Sequence, residues 1–407
     1  MHIVIANAHW NNRGDEAALC ALLGKLREQY PGSRMTIMFK DKKSITWFPE
    51  SVDADYFSCQ FKTPQWDIWL AVLTHGLLVK DKLLKKAVLT LKTADLIIYP
   101  PGGSVINDRF FWSKQLEYLV PFLCAKLYRI PIVIAAPSIG PFELHPTFRI
   151  RRWLLQTPKV ICVREAISKH YLQTIGIKKN VYVTMDLAFM DSVDAQENHR
   201  KLEADKALSS FINAHGKVIG ITISDFKWHV KLSKNTELTN QIEVAFRKLI
   251  LKLTAKGFGV LLIPQLFGNQ NDADYLRRFS AGEDTMVMSD QQDAYFQQYV
   301  ISRLYAVVGM RYHCNIFAAK MGTPFVAVSY EEKMDGFLAL AELTDYKISI
   351  DELSYEYLDE KFSLLEKNHE DLQAKLRHGS NVWKQRALRT IALISPEIYE
   401  KGKKWHR

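Results

Sequence analysis

Nine short β-branched runs punctuate the chain: "HIVIANA", "ADLIIYP", "PIVIAAP", "KVICVRE", "VYVTMD", "KVIGITIS", "GVLLIPQ", "LYAVVGM" and "PFVAVSY". Most are continuously apolar instead of alternating, which is how strands buried on both faces read. The pattern predicts parallel sheets covered by helices. Helically spaced stretches lie between the runs: "DEAALCALLGKLREQY", "REAISKHYLQTIG", "TNQIEVAFRKLILKLTAKG" and "RYHCNIFAAKMG". Several end at Gly, where a left-handed cap is expected. Strand and helix alternate throughout, so the expected class is α/β.

Residues 191–217 break the pattern. They are polar, lack strand spacing and precede a fresh strand at Val218. A chain of 407 residues is too long for one ordinary core. The expectation is two doubly wound, Rossmann-like domains facing a cleft: 1–195, 196–385, and a C-terminal helix and basic tail over 386–407. Open α/β sheets bind ligands at the carboxyl ends of their strands, so the loops there carry the candidate chemistry.

Composition narrows the class. Hydrophobic residues make up 48% and charged ones 24%, which is globular. Five scattered cysteines without a CxxC pair predict neither a disulfide framework nor a zinc site, and fit a reducing cytosol. "MHIVIANAHW" runs straight into a strand, so no signal peptide is expected. The most apolar window, "YLVPFLCAKLYRIPIVIAAP", is broken by charges and prolines, and reads as a helix and a buried strand. The net charge is +10, and residues 1–190 hold 25 Lys and Arg against 15 Asp and Glu, while 191–407 hold 29 against 29. A field of that sign favours an anionic partner, although it also serves solubility.

Five strand-end loops stand out. In "NAHWNNRGDEAAL", Asp15 could cap a helix, while His9, Asn11, Asn12 and Arg13 exceed what a cap needs and suit a hydroxyl-rich ligand. In "YPPGGSVINDRFF", Gly102 and Gly103 make a tight turn or let the backbone approach an anion, with Ser104 following. It matches neither GxGxxG nor a P-loop. "APSIGPF" is weak alone. In "VICVREAISKHYL", Arg164 directly follows a buried strand, which favours a role at the cleft over a surface charge.

The fifth loop is "GMRYHCNIFAAKMGTPFVAVSYEEK", residues 309–333. Arg311 is expected to start a helix that Gly322 ends, and Lys333 to follow the next strand. Arg311, His313 and Lys333 then share one sheet edge with a helix N-terminus, a combination suited to phosphate or carboxylate. A lone histidine reads most simply as a buried residue bonded to backbone. With an anion bound beside it, His313 could carry a proton and act as a general acid.

Taken in order, "NNRGDEA", "PPGGSVIND", "PSIGPF", "VREAIS", "MDLAF" with Asp186, and above all "MRYHCNIFAAKMGTPFVAVSYEEK" resemble the polysaccharide pyruvyl transferase family over about residues 5–340. The resemblance implies a GT-B-like fold. It implies transfer of a pyruvyl group from phosphoenolpyruvate to two sugar hydroxyls, as a ketal, with release of phosphate. The Arg-x-His segment is associated in the family with donor binding and catalysis, which gives His313 and Arg311 those roles. Arg164 becomes a second anion clamp beside Lys333, with Gly102, Gly103 and Ser104 at the donor. Asp15 or Asp186 could be the base, and Asn11, Asn12 and Asp186 are expected at the acceptor. Asp186 held in a cap or an ion pair is the plain alternative. No metal and no further cofactor are expected; phosphoenolpyruvate is the donor substrate.

The expected partners are phosphoenolpyruvate and a sugar acceptor, with a lipid-linked sugar as one form of it, and no nucleic acid. "TPQWDIWLAVLTHGLLVKDKLLKKAVLTLK" has the composition of an interfacial helix pair, though such helices also pack on their own core. That gives a cytoplasmic protein with peripheral contact to the inner membrane face. Two rival readings stand beside this one. A nucleotide-sugar glycosyltransferase of the same fold is kept alive by Glu331 and Glu332 as ribose-binding carboxylates. A basic nucleic-acid-binding protein explains the charge but not the Arg, His and Lys at strand ends.

Overall fold

Thirteen strands form two sheets in the computed structural model, which describes residues 1–40, 42–61, 64–102, 106–107, 112–142, 148–226, 232–268 and 271–395. The strands are β1 (His2–Ala8), β2 (Arg34–Phe39), β3 (Asp55–Ser58), β4 (Leu96–Tyr99), β5 (Ile132–Ala135), β6 (Val160–Val163), β7 (Val181–Val183), β8 (Val218–Thr222), β9 (Gly259–Leu262), β10 (Thr285–Val287), β11 (Ala306–Gly309), β12 (Phe325–Ser329) and β13 (Lys347–Ser349). Every ladder is parallel. All nine apolar runs are strands. The central ones, such as β4 "LIIY" and β11 "AVVG", are buried at every position because helices cover both faces.

The chain divides into two compact units. One comprises Met1–Asn11, Ala18–Met190 and Lys384–Arg407, the other Asn12–Ala17 and Asp191–Trp383. The sequence places the boundary at 195/196, whereas this division falls at 190/191. It also assigns the short segment 12–17 to the second unit. The basic tail from residue 396 lies outside the described residues.

The first sheet has the order β3-β2-β1-β4-β5-β6-β7 and the second β10-β9-β8-β11-β12-β13. In each, the order turns back beside the first strand of the unit, so each is doubly wound. The switch points lie between β1 and β4, and between β8 and β11. Asn11 and Gly102 follow the first pair of strands, and Arg311 and His313 follow β11. The mixture of parallel sheet and crossover helix defines an α/β fold with two Rossmann-like units.

Candidate active site

The helix Tyr312–Met321 leaves the carboxyl end of β11 and stops at Gly322, which is left-handed as expected. Arg311 is its N-cap, extended at φ −78° and ψ 125°, so Tyr312 and His313 form its first turn. The Arg311 N–H donates to Thr222 Oγ1 at the end of β8 (3.1 Å), which ties the start of the helix to the switch point. Its guanidinium donates to Asp272 instead of capping the helix. Asp272 accepts on its other oxygen from the backbone N–H groups of Gln265 (3.1 Å) and Leu266 (3.0 Å). Arg311 is buried. Burial opposes its charge, yet the Asp272 carboxylate outweighs that and raises the guanidinium pKa above its ordinary value.

The segment Gln265–Leu266 also receives the start of the Arg13–Gln29 helix. Asn12 bridges Leu266, and the Arg13 N–H donates to the Gln265 carbonyl (3.0 Å). Arg13 pairs with Glu16 at 2.5 Å, donates to the Asp290 carbonyl and lies over the Phe267 ring at 4.2 Å. Glu16 in turn accepts from Ala294 N–H (3.2 Å). Burial raises the Glu16 pKa, and Arg13 pulls it the other way.

These bonds bring Gly14 against His313. A Cβ on Gly14 would lie 1.8 Å from both Cγ and Nδ1 of the His313 ring. Glycine is therefore required here by close approach. Asp15, the next residue, is not the N-cap that sequence suggested. Asn12 caps, with its Oδ1 accepting from Asp15 N–H (2.8 Å) and its Nδ2 donating to Asp15 Oδ2 (2.6 Å). This is a capping box closed by a side-chain amide. Lys333 lies 2.7 Å from Glu331 and 5.5 Å from the centre of the Tyr312 ring. The second unit thus gathers Arg311, His313, Lys333, Asn12 and Asp15.

Arg164 and Asp186 meet elsewhere, within the first unit. Arg164 Nη1 donates to Asp186 Oδ2 (2.7 Å) and its Nε to Ser138 Oγ (2.8 Å). Asp186 also caps the short turn at Leu187–Phe189 by accepting from Ala188 N–H (3.0 Å). Both alternatives raised for Asp186, cap and ion pair, are present. Glu165 accepts from Ser168, whose Oγ accepts from Ile139 N–H (2.8 Å). The motifs "PSIGPF", "VREAIS" and "MDLAF" therefore share one buried polar network at the ends of β5, β6 and β7. Gly102 carbonyl accepts from Ser138 N–H (3.2 Å), and no described residue stands within 4 Å of where its Cβ would be. Gly103 and Ser104 lie outside the described residues.

Of the carboxylates that pair with the expected cations, sequence reasoning raised Asp186 as an ion-pair partner, named Glu331 in another role and missed Asp272. Each expected cation has one: Asp186 for Arg164, Asp272 for Arg311 and Glu331 for Lys333. Glu331, which with Glu332 keeps the nucleotide-sugar reading alive, is an ion-pair partner of Lys333. Asp272 lies ten residues past β9, in a loop that carries no recognisable motif. Its only signal was "ND" after an apolar strand.

The fold is of GT-B type. A putative UDP-N-acetylglucosamine 2-epimerase from Listeria monocytogenes superposes with a TM-score of 0.61 at 13% identity, covering 98% of this chain and 96% of that one. A UGT transferase from Siraitia grosvenorii in complex with UDP gives 0.54 at 12%, covering 98% and 99%. At such identities the likeness is one of fold alone. Sequence decides the family: the model for polysaccharide pyruvyl transferase matches residues 12–332, and the chain belongs to that family. The amylovoran biosynthesis protein AmsJ of Erwinia amylovora is 23% identical over 300 residues, covering 70% of this chain and 69% of that protein.

Proposed function

We propose that this transferase moves the pyruvyl group of phosphoenolpyruvate onto two hydroxyls of a sugar in a polysaccharide or its lipid-linked precursor. One hydroxyl oxygen bonds to the enol carbon while the methylene carbon takes a proton from His313. The second hydroxyl oxygen bonds to the same carbon as the C–O bond to phosphate breaks. Of the two hydroxyl protons, one ends in the new methyl group, by way of His313, and the other leaves on phosphate. The product is a cyclic ketal.

The observation that carries this reading is the seating of His313 on Gly14, in the first turn of the helix that Arg311 caps. In this reading general acid, cation and helix N-terminus act together at that turn, and Asp15 is the nearest candidate base in sequence. Arg311 gives a fixed charge because its pair with Asp272 is buried. Lys333 gives the mobile one: its pair with Glu331 is partly exposed, and an incoming phosphate displaces such a pair at small cost. In this reading Arg164 and Asp186 brace the loops after β5–β7 and do not clamp the donor. The work is assigned to the cytoplasmic side of the membrane.

Calorimetric titration with phosphoenolpyruvate, with UDP as control, tests it. The wild type should bind phosphoenolpyruvate saturably and Arg311→Ala should weaken binding at least about tenfold, the loss of one charge-assisted contact. His313→Gln should keep binding and lower turnover by about 10²–10⁴. Binding of UDP without phosphoenolpyruvate would replace this reading with a nucleotide-sugar transferase.

A further inference from the structure

The helices Gln65–Leu73 and Lys82–Lys92 form a hairpin on the first unit. Ile68, Val72, Leu84, Val88 and Leu91 turn inward and join the core. Five large apolar side chains do not: Trp66 is 65% exposed, Leu73 63%, Leu77 76%, Leu78 67% and Leu89 42%. Trp66 and Leu73 are seven residues apart, hence on one helix face. Leu77 and Leu78 lie in the connecting turn, equally in water.

The turn is built, not frayed. Gly76 N–H donates to Ala71 carbonyl (2.6 Å), the His75 ring stacks on Tyr128 with centroids 5.0 Å apart, and Tyr128 Oη donates to Val72 carbonyl (2.6 Å). The leucines at the tip are thus held in water by an ordered frame. Exposed Lys80, Lys82 and Lys85 follow directly. Residues 64–92 contain five lysines and two aspartates, and one of these, Asp81, is engaged as the N-cap of the second helix (2.8 and 3.0 Å).

We propose that this hairpin tip docks on an anionic lipid bilayer. Trp66, Leu73, Leu77 and Leu78 enter the headgroup boundary, and the lysines meet lipid phosphates. The charge selects the occupant. A second copy of the chain would set five lysines against five. A bilayer of anionic headgroups complements both the apolar tip and the lysines. The docking stands on the hairpin alone and does not depend on the transfer reaction.

Co-sedimentation of the full chain with phosphatidylcholine vesicles, with and without phosphatidylglycerol, tests it. The wild type should pellet with the anionic vesicles and be released by added salt. Leu77→Asp/Leu78→Asp and Lys80→Glu/Lys82→Glu should each lower partitioning about tenfold or more. Their side chains face water, so the thermal midpoint should not move, and Trp66→Ser gives an independent check. No binding to anionic vesicles, equal binding to neutral ones, or binding unchanged in the variants would each overturn the proposal. So would a wild-type dimer in ultracentrifugation that Leu77→Asp/Leu78→Asp dissolves, since the tip would then face a second copy.

Discussion

At the scale of single residues, the site depends on one missing methyl group. Gly14 lies in the first turn of a helix, where alanine would ordinarily favour the helix by up to about 1 kcal/mol. Here the His313 ring occupies the space. Gly14→Ala should therefore leave the protein folded and cut kcat/KM by about 10²-fold, the typical result of displacing a reacting group by an ångström. Circular dichroism and phosphate release from phosphoenolpyruvate would measure the two effects. Wild-type turnover in that variant would remove His313 from the chemistry. Ser168, by contrast, is a buried bridge between Glu165 and Ile139.

At the scale of elements, Asp272 straps the loop after β9 to the helix after β11. One oxygen holds Arg311, and the other holds two backbone N–H groups. Removing one partner of a buried ion pair typically costs about 3–5 kcal/mol, because the other charge is left without compensation. Asp272→Asn should therefore lower the urea midpoint and weaken phosphoenolpyruvate binding together. Asp272→Asn/Arg311→Met removes the orphaned charge and keeps an oxygen for the Gln265 and Leu266 N–H groups, so it should recover most of the midpoint without restoring binding. Restored binding in the double variant would show that the pair only supports the fold. The same scale explains which strands escaped the sequence reading. β3, β10 and β13 are three or four residues long, at sheet edges, and partly exposed. β2 buries Thr36 among methionines, and this mixture lacks a continuous β-branched run.

For the molecule as a whole, each unit buries a carboxylate against an arginine: Glu16 with Arg13 in the second and Glu165 beside Arg164 in the first. Burial raises both pKa values above the ordinary 4.5, with the arginine opposing. A raised carboxylate binds its proton more tightly in the fold than in the unfolded chain. Its contribution to stability is full below the unfolded value and falls away as pH rises to the folded one. Glu165→Gln removes that slope. Urea midpoints across a pH series should show the variant gaining on the wild type from about pH 4.5 upward, and a constant difference would contradict the assignment. No helix among the described residues is long and apolar enough to cross a membrane.

The sequence by itself determined the class of the fold, because burial on both faces writes itself as unbroken apolar runs, and nine strands were legible that way. It also determined the stretch around Arg311 and His313, since a helix opening at a strand's carboxyl end is a local pattern. Local pattern cannot reveal partners distant in the chain. Asp272 is 39 residues from Arg311, and Gly14 is nearly 300 residues from His313. Only tertiary structure decided that the cations are paired and that the first loop supports the histidine. The same holds for the hairpin. Its composition read as amphipathic, but packing alone decided which leucines joined the core and which remained in water.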